Sequence, residues 1–310
     1  MSEKHVYYIT PSSFCRWVER SVDRLQQIVD KNSDKEIYCI HAIVHNPKLT
    51  KKFVDQWVIF VETIEEISNP DAIVTFSAHG INRFILEEAQ LKFAEVYNLE
   101  CPLVTKIYRE VSGYLKKGVD KFLYIGKPTH QEARNVTDYI VGLGHEVTII
   151  QKLEEIPESR PRDKEFAVLS QTTLNYSHVK LLDEQIAEIY PNARFGSLTD
   201  ICKATYERQA ALIQFIDRYD SLVVIGGKAS HNTYELVKLG EKYHKHTIYG
   251  ETAQDIIDFG EKVLTKDATV AVTWWASTPP EDIRTIFDWY KSQWYVQKIL
   301  TFVEPDWEYQ

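Results

Sequence analysis

The sequence predicts an α/β protein with parallel sheets, built from three similar units of about 100 residues whose strand ends point at one centre. Three observations predict it. Short β-branched and aromatic runs alternate with amphipathic helical patterns along the chain. Three of the four cysteines each lie a few residues before such a helix. Two further classes of polar loop then follow each of those cysteines in the same order.

Taken in order, a strand over 5–9 precedes the first unit. That unit holds helix 16–30, strand 36–40, helix 47–55, strands 57–61 and 72–76, helix 82–94 and strand 95–97. Runs such as Val6-Tyr-Tyr-Ile9 and Ile73-Val-Thr-Phe76 are rich in side chains that suit a pleated surface. The second unit reads helix 103–117, strand 121–125, helix 131–141, strands 146–150 and 165–169, and helix 176–189. Pro102 suits the first turn of its helix, where a missing N–H costs nothing. The third reads helix 203–218, strand 221–225, helix 231–243, strand 246–249, helix 253–263, strand 269–273 and helix 280–292. Units are therefore expected at 18–101, 102–198 and 199–292, with the N-terminal segment 1–17 joining the third and 293–310 forming a C-terminal tail. The Pro-rich stretch 157–161 reads as a surface loop.

The residues able to do chemistry fall in the loops. Cys15, Cys101 and Cys202 form the first class. The second contains His45-Asn46, His130-Gln131-Glu132 and Ser230-His231-Asn232, each after a strand and at the opening of a helix. The third contains Ser77-Ala-His79-Gly80, Ser170-Gln-Thr172-Thr173 and Ala276-Ser277. Equivalent loops are about 85–105 residues apart. Ligands of open α/β sheets bind beyond the carboxyl ends of strands, so three such units pool three cysteines and six polar loops in one cavity.

The chain has 310 residues, 44% apolar and 26% charged, as soluble globular proteins do. A net charge of −9 excludes a global basic surface for nucleic acid. No apolar run reaches the roughly 18 residues of a membrane span. The opening Met1-Ser-Glu-Lys-His5 lacks the pattern of a signal peptide. The expectation is a cytoplasmic protein with no membrane partner, whose thiols stay reduced and are left for metal, cluster or burial.

Three thiolates from three units fit a [4Fe–4S] cluster with one iron free of protein ligands, able to bind a substrate oxygen. Each cysteine sits near a helix N-terminus, where partial positive charge favours the thiolate. Zinc held by the three thiolates and a histidine is the competing reading. Cys39 lies inside strand 36–40 and reads as core.

The stretches Ser13-Phe-Cys15, Val44-His45-Asn46, Phe76-Ser-Ala-His79-Gly80, Cys101-Pro-Leu-Val-Thr-Lys106, Ser170-Gln-Thr172-Thr-Leu174, Asp200-Ile-Cys202-Lys-Ala-Thr205 and Ala276-Ser277 resemble those of the LytB-type hydroxymethylbutenyl diphosphate reductases. The likeness runs collinearly from about residue 8 to residue 290. It implies three α/β units in a pseudo-threefold cloverleaf around a central [4Fe–4S] cluster held by Cys15, Cys101 and Cys202. It implies a small allylic diphosphate bound among His45, His79, His130, Ser230, Asn232 and Ser277, with His231 a further donor. It also implies Glu132 as the proton-delivering acid, Thr172 as the residue that orders the substrate hydroxyl, and ferredoxin or flavodoxin as electron donor. Imidazoles, hydroxyls, amides and helix N-termini reconcile an acidic protein with an anionic substrate.

Departures from the family pattern cluster at the expected cavity. The first cysteine stands in Ser13-Phe-Cys15-Arg16-Trp17 rather than among glycines, and Ser-Ser-Asn becomes Ser230-His231-Asn232. His-Pro-Glu becomes His130-Gln131-Glu132, the run before Cys101 reads Asn98-Leu99-Glu100, and Trp274-Trp275 precede Ala276-Ser277. Glycines allow close backbone approach, so Trp and Arg in their place imply an altered cavity wall, with core packing the other use for the tryptophans. Three readings stay open beside the isoprenoid diphosphate reductase. They are a paralogue dehydroxylating another allylic or aromatic alcohol, a non-enzymatic iron–sulfur sensor, and a zinc hydrolase.

Overall fold

The computed structural model describes residues 4–11, 13–157, 164–196, 200–243, 245–259 and 269–304. Most of the Pro-rich stretch, the end of the helix expected at 253–263, and residues 305–310 of the tail lie outside the described residues. The chain divides into two compact units. One comprises Met1–Val18, His45–Leu49 and Lys203–Gln310; the other comprises Glu19–Val44 and Thr50–Cys202.

The larger unit contains two parallel four-stranded sheets. The first is ordered β3-β2-β4-β5, from β2 (Ile37–Ile40), β3 (Val58–Val61), β4 (Ile73–Phe76) and β5 (Glu95–Asn98). The second is ordered β7-β6-β8-β9, from β6 (Lys121–Ile125), β7 (Glu146–Ile150), β8 (Phe166–Ser170) and β9 (Ala193–Phe195). The smaller unit has one parallel sheet, β11-β10-β12-β1-β13, from β1 (His5–Thr10), β10 (Ser221–Ile225), β11 (His246–Gly250), β12 (Thr269–Trp274) and β13 (Val296–Thr301).

All three sheets therefore share one order: second strand, first, third, fourth. In the third sheet the fourth place is taken by β1, from the N-terminus. The order reverses between the first and third strands, the kind of switch point at which open α/β sheets bind ligands. Those strands lie side by side in register, with Ile40 beside Phe76, Ile125 beside Ser170 and Ile225 beside Trp274.

Sheets covered on both faces need continuous apolar strands, and β4, β8 and β10 are buried throughout. In the smaller unit, Val6, Tyr8, Val223, Val272 and Trp274 pack on one side with Ile256, Ile286 and Tyr290. Leu222, Val224, Ala271 and Trp275 pack on the other with Leu212, Leu236 and Leu239. Each such fully buried aliphatic side chain contributes ~1.5–3 kcal/mol of transfer free energy.

The helices are α1 (Arg16–Lys31), α2 (Pro47–Val54), α3 (Arg83–Lys92), α4 (Pro102–Lys116), α5 (Gln131–Gly142), α6 (Tyr176–Ile189), α7 (Lys203–Gln214), α8 (His231–Lys242), α9 (Ala253–Phe259) and α10 (Pro280–Ser292). The segment expected as helix to 218 ends its α-helix at Gln214 and continues as a 3₁₀ turn over Ile216–Arg218. Two strands escape the sequence pattern. The short β9 carries Arg194 between two half-buried residues. The edge strand β13, in the region expected as a tail, pairs with β1 while leaving Lys298 and Ile299 exposed.

Candidate active site

Every candidate loop follows a particular strand. The loops with His45, His130 and Ser230 follow β2, β6 and β10, the first strands of the three sheets. Those with His79, Thr172 and Ser277 follow β4, β8 and β12, the third strands. Each pair therefore flanks the switch point of its own sheet. Cys15, Cys101 and Cys202 follow the strands in the fourth places, β1, β5 and β9 respectively.

The three cysteines are half-buried thiols, each beside a helix start. Cys15 precedes α1, and its Sγ accepts the N–H of Val18 at 3.5 Å. Cys101 is the N-cap of α4 with Pro102 at the first turn, and its N–H donates to Ala78 O at 3.1 Å. Cys202 precedes α7, and its N–H donates to Thr172 O at 3.0 Å. Partly exposed thiols at helix N-termini have the chemistry of thiolate ligands to iron. Cys39 contrasts with them: it is fully buried in β2, and burial pushes its thiol up to about 12. Among the described residues, no group of three or more His, Cys, Asp or Glu side chains is arranged to hold a single metal ion.

Glu132 is the most distinctive group. It sits in the first turn of α5 and is buried. One carboxylate oxygen accepts the N–H of Thr172 at 2.7 Å and the hydroxyl of Tyr124 at 3.3 Å. The other meets the Thr172 hydroxyl at 2.7 Å. Burial raises its pKa to about 7, against the lowering effect of those bonds; the charge of Asp200 adds to the rise. Its donors are all neutral, so the carboxyl is left poised near neutral pH. His130, the N-cap of α5, spends Nδ1 on accepting the N–H of Glu132 at 3.2 Å.

In the smaller unit, the Ser230 hydroxyl caps α8 by accepting the N–H of Thr233 at 3.3 Å, and its own O–H remains a donor. Asn232 accepts the Thr205 hydroxyl at 3.1 Å through its carbonyl oxygen, which leaves its amide N–H groups uncommitted to that bond. His231 Nε2 lies 3.3 Å from Glu235. The Ser277 carbonyl accepts from Asn46 at 2.9 Å, and its hydroxyl donates to His45 O at 3.5 Å. A side chain at Gly227 would meet His45 O at 2.3 Å, so this approach of two loops requires glycine. His79 is half-buried after β4, beside Gly80, which has φ +85°.

A sequence model of the family described as LytB protein matches residues 6–291. The chain belongs to the LytB family. A relative from Wolbachia pipientis wMel named 4-hydroxy-3-methylbut-2-enyl diphosphate reductase is 32% identical over 231 residues, 74% of each chain. One of the same name from Ehrlichia ruminantium (strain Gardel) is 29% identical over 98% of this chain and 93% of its own. The solved structure of the E-1-hydroxy-2-methyl-but-2-enyl-4-diphosphate reductase from Plasmodium falciparum superposes with a TM-score of 0.88. It shares 26% identity and covers 99% of this chain and 95% of that one. The LytB match encloses every loop described above.

The departures from the LytB pattern find local explanations. Trp274 is buried against Tyr8, and Trp275 packs with Ile9 and Ala271 under the Arg208 guanidinium, 5.3 Å from its ring. Both are core residues of the smaller unit. Glu100 forms a two-pronged pair with Arg83, at 2.6 and 3.0 Å, and Arg83 stacks 4.0 Å over the Tyr108 ring. Gln131 donates to Gly80 O at 3.4 Å and lies 2.6 Å from His41 Nδ1. Trp17 is half-buried beside the exposed Arg16.

Several residues that shape the site were not singled out from the sequence. Tyr124 is one: nothing marks it within an apolar strand. Arg208 holds the Cys15 loop, donating to Ser13 O at 2.8 Å and to Ala204 O at 3.0 Å. Lys106 and Asp200 form an ion pair at 3.0 Å. These last two stand inside the quoted cysteine motifs, and a charge adjoining a presumed ligand was the available signal.

Proposed function

We infer that the chain is a reductase that removes the hydroxyl of 4-hydroxy-3-methylbut-2-enyl diphosphate to give isopentenyl and dimethylallyl diphosphate, in the non-mevalonate isoprenoid pathway. Its relatives carry that reductase name, and the Glu132–Thr172 pair supplies the acid such a reaction needs. Cys15, Cys101 and Cys202 would hold a [4Fe–4S] cluster with one iron free of protein ligands, and when bound it would supply two electrons and Lewis acidity toward the substrate hydroxyl. Ferredoxin or flavodoxin delivers the electrons, in the cytoplasm. No helix among the described residues is long and apolar enough to cross a membrane.

The chain's own residues bind, orient and protonate. His45, His79, His130, Ser230, His231, Asn232 and Ser277 offer imidazole, hydroxyl and amide donors to the diphosphate. Helix N-termini behind Ser230 and His130 add partial positive charge without formal charge. Glu132, with a pKa of about 7, holds a proton at neutral pH and passes it to the Thr172 hydroxyl at 2.7 Å. Thr172 in turn donates to the departing hydroxyl, which leaves as water, and the allylic fragment, richer by two electrons, takes a second proton at one of its two terminal carbons to give either product.

The carrying observation is a buried carboxyl, poised near neutrality, bonded to a threonine whose carbonyl accepts from the Cys202 N–H. A sensor has no need of such an acid. The altered substrate of a paralogue loses its main motive, because Trp274 and Trp275 are core. The test is anaerobic turnover of the hydroxymethylbutenyl diphosphate with a reduced one-electron donor. Protein carrying about four irons per chain should yield both products. Iron-loaded protein that yields neither refutes the reading.

A further inference from the structure

Two carboxyl groups pair with one lysine between the cysteine-bearing elements of the larger unit. Lys106 lies on α4, the helix that begins beside Cys101, and reaches Asp200 at 3.0 Å and Glu110 at 3.2 Å. Asp200 is buried two residues before Cys202. Its second oxygen accepts the N–H of Ser170 at 2.8 Å, at the end of β8. Two residues on, the Cys202 N–H donates to Thr172 O at 3.0 Å. Residues 170–172 and 200–202 are thus tied side by side at two points, and Lys106 is tied to the first. Glu110 and Asp183 both titrate near 7, raised by burial first and the Asp200 charge second. Lys106 is the cation that offsets this concentration of negative charge.

We propose that Lys106 is a positioning residue of the cluster site: its ion pair with Asp200 braces the helix that starts at Cys101 against the segment ending in Cys202 and the loop carrying Thr172. The role rests on the reading of Cys101 and Cys202 as cluster ligands. Without the ammonium, Asp200 is a buried carboxylate beside two others, and the ties to Ser170 and Thr172 open more often. Two ligands and the proton-relaying threonine then lose their common reference point.

The test compares Lys106→Met, Lys106→Gln and Lys106→Arg with the wild type by two readouts. Amide exchange in the metal-free protein reads the brace itself. The N–H groups of Ser170 and Cys202 should exchange about tenfold or more faster in the Met and Gln variants, while those of β2 keep wild-type rates and Arg restores the protection. Iron release to a chelator from the loaded protein should quicken about tenfold in the same two variants and return with Arg. If Met does not fold, Gln carries the comparison. Wild-type exchange and iron release in both neutral variants overturn the role, as does failure of Arg to restore either. Wild-type protein that takes up no iron overturns the cluster reading and this role with it, and the exchange data then show whether the brace exists apart from any cluster.

Discussion

Replacing Glu132 by Gln separates the acid's titration from its shape. The amide keeps the oxygen that Thr172 N–H and Tyr124 O–H donate to, and its NH₂ can donate to the Thr172 hydroxyl. In the wild type the folded carboxyl has a pKa of about 7, against an ordinary value of 4.5. Between those values the folded chain holds a proton that the unfolded chain has released. Stability therefore falls as pH rises, being complete below the unfolded value and lost as pH passes through the folded one. The full loss is ~3 kcal/mol, of which ~2.5 kcal/mol falls between about pH 5 and pH 8. The variant has no such titration. Its stability relative to the wild type should climb by that amount across the range, whatever fixed offset the substitution introduces. Urea unfolding of the metal-free proteins at several pH values measures this, and the midpoint difference should change by about 0.5–1 M. A difference that is flat with pH, or that falls toward alkaline pH, would refute a buried carboxyl held by neutral donors alone. The same variant should keep its iron yet form no product. Wild-type kcat/KM should decline as pH rises above about 7, because the protonated form is the donor.

Serine at Cys15, Cys101 or Cys202 should abolish the broad absorption near roughly 400 nm of thiolate-bound iron; Cys39→Ala should keep it and cost only about 1 kcal/mol of stability, read by denaturant unfolding. Trp57 and Trp294 follow α2 and α10 with φ of +67° and +63°, and both are almost fully exposed. Trp57→Gly and Trp294→Gly should each stabilise by about 0.5–1 kcal/mol, since glycine removes the left-handed penalty at the cost of some chain entropy; a lower thermal midpoint would count against this. Arg83→Met strands the buried Glu100 carboxylate and should destabilise by about 3–5 kcal/mol in urea titrations, far more than Lys51→Met at the exposed Lys51–Asp55 pair.

Periodicity along the chain located nearly every helix and strand, because each sheet is covered on both faces and its central strands are unbroken apolar runs. The repeat was legible for a related reason. Each sheet has its polar residues where strands end, so the order of Cys15, His45 and His79 returns as Cys101, His130 and Thr172, then as Cys202, Ser230 and Ser277. Edge strands escaped: β13 owes its place to pairing with β1 across nearly the whole chain, and no local apolar run announces it. The tryptophans misled in the opposite direction. Trp274 and Trp275 adjoin Ser277, and proximity in sequence suggested a cavity wall, but alternation along β12 and its exit sends the two rings into the cores on opposite sides of the sheet.

What stayed hidden is the support beneath the candidate residues. Lys106 and Asp200 are 94 residues apart, and Arg208 and Ser13 are 195 apart. A lysine on an amphipathic helix and an aspartate before a cysteine have no local pattern that tells a solvated charge from a buried one. The distinction is set by which loops meet, and that follows from the strand order. Because β8 and β9 are neighbours, the loops after them run together, and Asp200 can bond Ser170 while Cys202 bonds Thr172. In the first sheet β4 and β5 are neighbours in the same way, and Cys101 N–H bonds Ala78 O, beside His79. The third and fourth strands thus couple a cysteine to a polar loop in both sheets of the larger unit. This predicts where substitutions remote from the chemistry will be felt: at residues that join those two loops, such as Lys106, before residues that merely fill the core beneath them.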